Sequence, residues 1–200
     1  MSSIYEKYEE DKHYTYADLL EMDEDVRAEI INGVLYMMGQ LLTIHQRVQM
    51  RLIKHFVIFL EGKTCEVFAA PYGVRLFPKE DNSDDTVVEP DIIVVCDSNK
   101  IDERGCNGPP DLIIEIVSPS NSRRDRLQKF NLYLKAKVRE YWIVYPDFKE
   151  IDVHILDEDR YTTEIYGINE PDTKEDEKAE EVIPVTVLPG LKIDVKDIFR

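Results

Sequence analysis

The sequence predicts a mixed α/β (α+β) domain, a central β-sheet of mixed direction flanked by helices. Three observations lead there. The runs Asp91-Ile-Ile-Val-Val-Cys96 and Asp111-Leu-Ile-Ile-Glu-Ile-Val117 are nearly continuous in apolar residues, as central strands buried on both faces are. Helical spacing recurs in Thr43–Glu61 and from about Arg123 to Lys137, so helices separate the strands. Asn32-Gly33 stands between two apolar runs, the strongest short-range hairpin signal.

Taken in order, Thr15–Met22 reads as a short helix capped by Thr15, with Asp18 three residues on. A hairpin about Asn32-Gly33 pairs Ile31 with Val34 and Glu29 with Tyr36, which puts the Glu29 carboxylate on a face with apolar residues. In the long helix, Ile44, Val48, Leu52, Phe56 and Leu60 form the apolar stripe, His45 lies beside it, and Gly62 is its stop. Thr64–Ala69 and Tyr72–Phe77 are β-rich, and an acidic loop, Lys79–Glu89, precedes the Asp91 strand. Ser118-Pro-Ser-Asn-Ser122 turns the chain from the Asp111 strand into the second helix, whose expected core stripe is Leu127, Phe130 and Leu134. Glu140–Tyr145, Ile151–Leu156 and Tyr161–Tyr166 follow as strands, and Val185–Val195 as short extended segments around Pro189-Gly190.

The chain has 200 residues, 43% of them hydrophobic, enough for one core and one domain over 1–200. Residues 1–14 are expected to be flexible and 169–181 to form a mobile acidic loop. The longest uncharged run, Ile30–Gln46, has 17 residues, short of the roughly 18 apolar residues of a membrane span. No membrane association is expected, and the charged N-terminus does not read as a signal peptide. Cys65, Cys96 and Cys106 are too few and scattered for a disulfide framework or zinc site, so a reduced, cytoplasmic protein is expected.

A net charge of −16 argues against unspecific coating of nucleic acid. The sign reverses locally. Residues 121–142 hold seven bases, among them Arg123, Arg124 and Arg126, against Asp125 and Glu140.

Two carboxylates sit where an ionised group is costly. Asp91 opens one apolar strand, and Glu115 lies mid-strand in the next, on the face of Ile113 and Val117. Such a group must be paired or bind a metal. Mg²⁺ takes oxygen ligands, commonly one or two carboxylates completed by water and phosphate. Asp125, Lys129 and Tyr133 form one row on the helix that follows Glu115. By itself the row reads as an Asp–Lys pair with a half-buried Tyr. Folded back over the strand, it can aim Lys129 at the carboxylates.

The order Glu29, Asn32-Gly33, His45, Pro90-Asp91, Pro110-Asp111-Leu112, Glu115, Ser118-Pro119-Ser120, Asp125, Lys129, Tyr133, then Val138–Pro146 and Leu188–Leu191, resembles the Uma-two family of putative restriction endonucleases, in the PD-(D/E)XK nuclease superfamily. The resemblance spans about 15–200 and is densest over 89–146. It implies a restriction-endonuclease-like fold and a Mg²⁺- or Mn²⁺-dependent endonuclease acting on nucleic acid, with DNA the expected substrate. Asp91 matches the Pro-Asp acid and Glu115 the acid of (D/E)XK. Two positions depart from the pattern: Val117 stands where the motif has Lys, which makes Lys129 a relocated lysine with Tyr133 behind it, and Lys137 stands where the family has Gly. Glu29 then becomes a third ligand, direct or through water, and His45 orients a water or phosphate. Arg123, Arg124 and Arg126 would hold flanking phosphates at the helix N-terminus, and cutting both strands of a duplex would call for a homodimer. Two rival readings keep the fold without the chemistry. One is a non-catalytic binding module, favoured by Val117 and the negative charge. The other is an interaction subunit whose acidic 169–181 loop meets a basic partner.

Overall fold

The structure, a computed structural model, describes residues 11–23, 26–117, 123–169 and 179–200. The side chains of Arg123, Arg124 and Asp125, the 118–122 turn, residues 1–10 and most of the expected 169–181 loop lie outside the described residues.

Helix α1 (Tyr16–Leu20) starts at the Thr15–Asp18 capping box, with the Thr15 backbone N–H donating to Asp18 at 2.7 Å. Strands β1 (Ala28–Ile31) and β2 (Val34–Met37) form the hairpin in the expected register, Ile31 opposite Val34 and Glu29 opposite Tyr36. Asn32 and Gly33 both have positive φ, 51° and 80°, as a type I′ turn requires. Helix α2 (Thr43–Leu60) buries Val48, Leu52, Phe56 and Leu60.

Two six-stranded sheets of mixed direction organise the chain, rather than one. The larger contains β3 (Glu66–Ala69), β6 (Ile92–Val95), β9 (Leu112–Ile116), β10 (Glu140–Tyr145), β11 (Glu150–Asp157) and β12 (Arg160–Gly167), in the order β12-β11-β10-β9-β6-β3. Strands β9 and β10 are parallel, joined by helix α3 (Arg123–Lys135); the other neighbours are antiparallel. The smaller sheet adds β4 (Val74–Arg75), β5 (Val87–Val88), β7 (Ile101–Asp102) and β8 (Gly105–Asn107) to the hairpin, in the order β2-β1-β5-β4-β8-β7. Strand β5 lies inside the stretch expected to be an acidic loop. A two-stranded ribbon, β13 (Val182–Pro184) with β14 (Lys192–Asp194), leads into α4 (Val195–Phe199), a short helix the sequence pattern did not reveal.

Alternation along β9 splits the core. Leu112, Ile114 and Ile116 join Leu52, Phe56, Trp142 and Ile198 on the α2 side, while Ile113 and Val117 join Val74, Leu76, Tyr133 and Tyr141 under α3. Buried Glu140 accepts the Trp142 indole N–H and the Val187 backbone N–H, both at 2.8 Å, and so ties the C-terminal segment to the larger sheet.

Two expectations are corrected. Phe130 packs against the core as expected, but the buried residues of α3 are Leu132 and Tyr133, with Ala136 just past its end, and Leu127 is 59% exposed; the helix turns the Lys129–Tyr133 row inward, so Tyr133 is fully buried rather than half-buried. Cys65 and Cys96 form a disulfide. They lie one step beyond the Glu66–Val95 pair of β3 and β6, so strand register brings together thiols that are 31 residues apart. Cys106 is free and buried. Among the described residues, no helix is long and apolar enough to cross a membrane.

Candidate active site

Strand register assembles the acids. Ile92 of β6 faces Ile114 of β9, so one step on, Asp91 stands opposite Glu115. Glu29 arrives from β1 of the smaller sheet, α3 contributes Lys129 and Tyr133, and α2 contributes His45. Glu29, His45, Asp91, Glu115 and Lys129 line one open cleft of about 440 Å³.

Lys129 Nζ lies 2.9 Å from both Glu29 Oε1 and Glu115 Oε1. The Tyr133 hydroxyl donates to Glu115 Oε1 at 2.6 Å, and the Glu89 backbone N–H donates to Glu29 Oε1 at 2.9 Å. Asp91 Oδ2 accepts the Ile116 backbone N–H at 2.7 Å and lies 3.1 Å from His45 Nε2. Gln49, four residues beyond His45 on α2, donates to the Asp91 backbone carbonyl at 2.8 Å, so α2 grips Asp91 by side chain and main chain. Glu89, which lines the cleft, is held by Arg27.

Burial pushes the Glu115 carboxyl up, to about 7; Lys129 opposes the rise, and Asp91 and Glu29 add to it. Burial works against the Lys129 ammonium, but Glu115 and Glu29 outweigh it and hold the amine above the ordinary lysine range. Burial, then the charges of Glu115 and Glu29, keep Tyr133 protonated far past the usual tyrosine value.

The donors suit a hard cation. Three carboxylates meet one ammonium, leaving an excess of negative charge when all are ionised. Each carboxylate uses one oxygen in the network just described; Glu29 Oε2, Asp91 Oδ1 and Glu115 Oε2 make no hydrogen bond among the described residues. His45 Nδ1 is buried without a partner among the described residues. As the side chains stand, no three His, Cys, Asp or Glu donors among the described residues converge into a metal cage. Two carboxylates with water and phosphate are an ordinary Mg²⁺ environment, so Asp91 and Glu115 fit the ion without one.

The model of the Uma2 family, described as "Putative restriction endonuclease", matches residues 14–196. The chain belongs to the Uma2 family. A curated relative, "Uncharacterized protein slr1290" of Synechocystis sp. (strain ATCC 27184 / PCC 6803 / Kazusa), is 27% identical over 132 residues, 66% of this chain and 67% of that protein. A crystal structure titled as a putative nuclease belonging to DUF820, from Anabaena variabilis ATCC 29413, superposes with a TM-score of 0.70 at 22% identity, covering 93% of this chain and 97% of that one. At that identity the likeness shows the shared fold.

Of the positions that carried the Uma2 resemblance, Glu29, His45, Asp91, Glu115 and Lys129 line the cleft together, with Tyr133 behind Glu115. Arg126 does not line it; its charge acts on Tyr145 and Asp152. Arg123 and Arg124 open α3, their side chains outside the described residues. Sequence reasoning missed Gln49 and Glu89. Gln49 was signalled only by its four-residue spacing from His45, and Glu89 by its place before Pro90-Asp91.

Proposed function

We propose that the protein is a Mg²⁺- or Mn²⁺-dependent nuclease that hydrolyses phosphodiester bonds, with DNA as substrate. The observation that carries this reading is the facing of Asp91 and Glu115 across β6 and β9 at the base of an open cleft. A bound divalent ion supplies positive charge to the scissile phosphate and lowers the pKa of an attacking water. Asp91 and Glu115 would hold that ion, and Glu29 would add an oxygen directly or through water. Lys129, already within hydrogen-bond reach of two carboxylates, would turn to the water or to the charge developing on phosphorus. Tyr133 fixes the Glu115 carboxylate. His45 steadies Asp91 through Nε2 and keeps Nδ1 to orient a water. Arg123 and Arg124, at the start of α3, would hold phosphates of the strand outside the cleft.

The reading is tested with purified protein and labelled DNA in Mg²⁺, Mn²⁺ or chelator. Cleavage is expected with either ion, absent with chelator, and lost in Asp91→Ala and Glu115→Ala, with circular dichroism confirming that both variants fold. Cleavage retained by either variant rejects the assignment. A non-catalytic module drew its support from Val117 and from the net charge of −16; the approach of Lys129 to Glu115 at 2.9 Å weakens the first argument.

A further inference from the structure

Resting on the nuclease reading, we infer that the cleft takes an unpaired nucleic-acid strand, with a base laid against Tyr36 and the connector from β2 to α2. Three features of the cleft lead to this substrate.

The first is depth. The side chains of Glu29, Asp91 and Glu115 are only 8%, 10% and 12% exposed, so the reacting phosphate must enter the cleft rather than rest on its rim. Its volume of about 440 Å³ is at the scale of a pocket for one small ligand, roughly 300–1,000 Å³. An unpaired strand can lay a base in the cleft beside the phosphate it brings there, which a paired and stacked base cannot do.

The second is the wall. Besides the charged groups, the lining includes Tyr36, Met37, Met38, Leu41 and Leu42. Tyr36 is 38% and Leu42 57% exposed. Tyr36 is the cross-strand partner of Glu29, and such pairs project from the same face, so an open aromatic ring stands next to the carboxylates. An aromatic ring with thioether and aliphatic neighbours suits the face of a base. Those faces are stacked away in a duplex and available in a single strand.

The third is charge. Among the described lining residues, the acids Glu29, Glu89, Asp91 and Glu115 outnumber the basic side chains Lys129 and His45. Inside the cleft the release of counterions from phosphates, a large source of affinity for duplex DNA, is therefore small, and contact with bases adds to the attraction.

The test measures binding of an oligothymidylate and of its duplex with oligoadenylate by fluorescence anisotropy, with Ca²⁺ in place of Mg²⁺. The single strand is expected to bind at least about tenfold more tightly. Tyr36→Ala is expected to weaken the single strand roughly tenfold, the loss of one stacked base, and to leave the duplex nearly unchanged. A duplex bound as tightly as the single strand, or a Tyr36→Ala variant with full single-strand affinity, overturns the inference. Cleavage of the same oligonucleotides with Mn²⁺ separates it from the nuclease reading: single-strand preference without any cleavage sinks that reading and keeps this one, and preferred binding and cutting of the duplex does the reverse.

Discussion

Lys129 and Glu115 meet at 2.9 Å although 14 residues and a change of element separate them. In the (D/E)XK pattern the lysine follows its acid by two positions on the same strand. Here that position, Val117, packs in the core under α3, and the helix covering that face returns an ammonium to the carboxylate. Lys129 also reaches Glu29, so it joins the two sheets as well as serving the cleft.

Lys129→Met would leave two nearly buried carboxylates without a counter-charge. Loss of one partner from a buried pair is strongly destabilising, and with the Lys129 side chain 19% exposed we expect about 2 kcal/mol at pH 8. At pH 5 Glu115, whose carboxyl titrates near 7, is neutral and the cost shrinks. Urea unfolding at the two pH values checks this; equal losses would show that the pair is not electrostatic in origin.

Buried His154 should make the protein acid-sensitive. Its Nδ1 shares a hydrogen bond with Thr163 Oγ1 at 2.8 Å, its Nε2 has no partner, and Phe130, Tyr141 and Tyr161 surround the ring. Burial lowers its pKa from 6.5 to about 4. Below pH 6.5 the unfolded chain takes up a proton that the folded chain refuses until about pH 4, so His154's contribution is present above 6.5 and lost as pH falls through 4. The loss amounts to roughly 3 kcal/mol. His154→Phe should flatten the stability profile over that window, as chemical denaturation at pH 7 and pH 4.5 would record.

The end of α3 holds a removable cost. Lys137 has φ of 60° and completes a Schellman cap: its N–H donates to the Leu134 carbonyl and the Val138 N–H to the Tyr133 carbonyl, both at 3.0 Å. A residue other than glycine pays about 1 kcal/mol in that conformation. Lys137→Gly should therefore raise stability by about 1 kcal/mol, despite losing an exposed ion pair to Asp159. Its melting temperature should rise by roughly 2–4 °C.

Much of the fold could be read from local chemistry. The Asn32-Gly33 turn, the Thr15 cap and the continuous runs of β6 and β9 each carry their own signal, and Glu115 announced itself as a carboxylate in an apolar strand. The rest depends on distant partners. β5 and β7 are two residues long, too short for any period to show. The inward face of α3 carries Lys129 and a tyrosine hydroxyl, so reading apolar residues alone selected Leu127, which is exposed. Pairing of Cys65 with Cys96 follows from β3–β6 register, and it removes the cysteine argument for a reduced compartment. Gln49 matters through a backbone carbonyl, which no side-chain motif records.

Ion binding should depend on pH through Glu115. Burial holds its carboxyl near 7, and a metal ion must displace that proton. Affinity for Mn²⁺ should increase about tenfold from pH 6 to pH 8 and stay level in Glu115→Gln, which binds more weakly throughout. Calorimetric titration in buffers of different ionisation enthalpy would also count the released proton.

The most direct measurement is the Mn²⁺ stoichiometry of the wild-type chain and of Asp91→Asn at pH 8, read by titration calorimetry. One ion per wild-type chain and none in the variant at the same concentrations is the expected result. An Asp91→Asn protein that binds the ion with unchanged affinity would contradict the site.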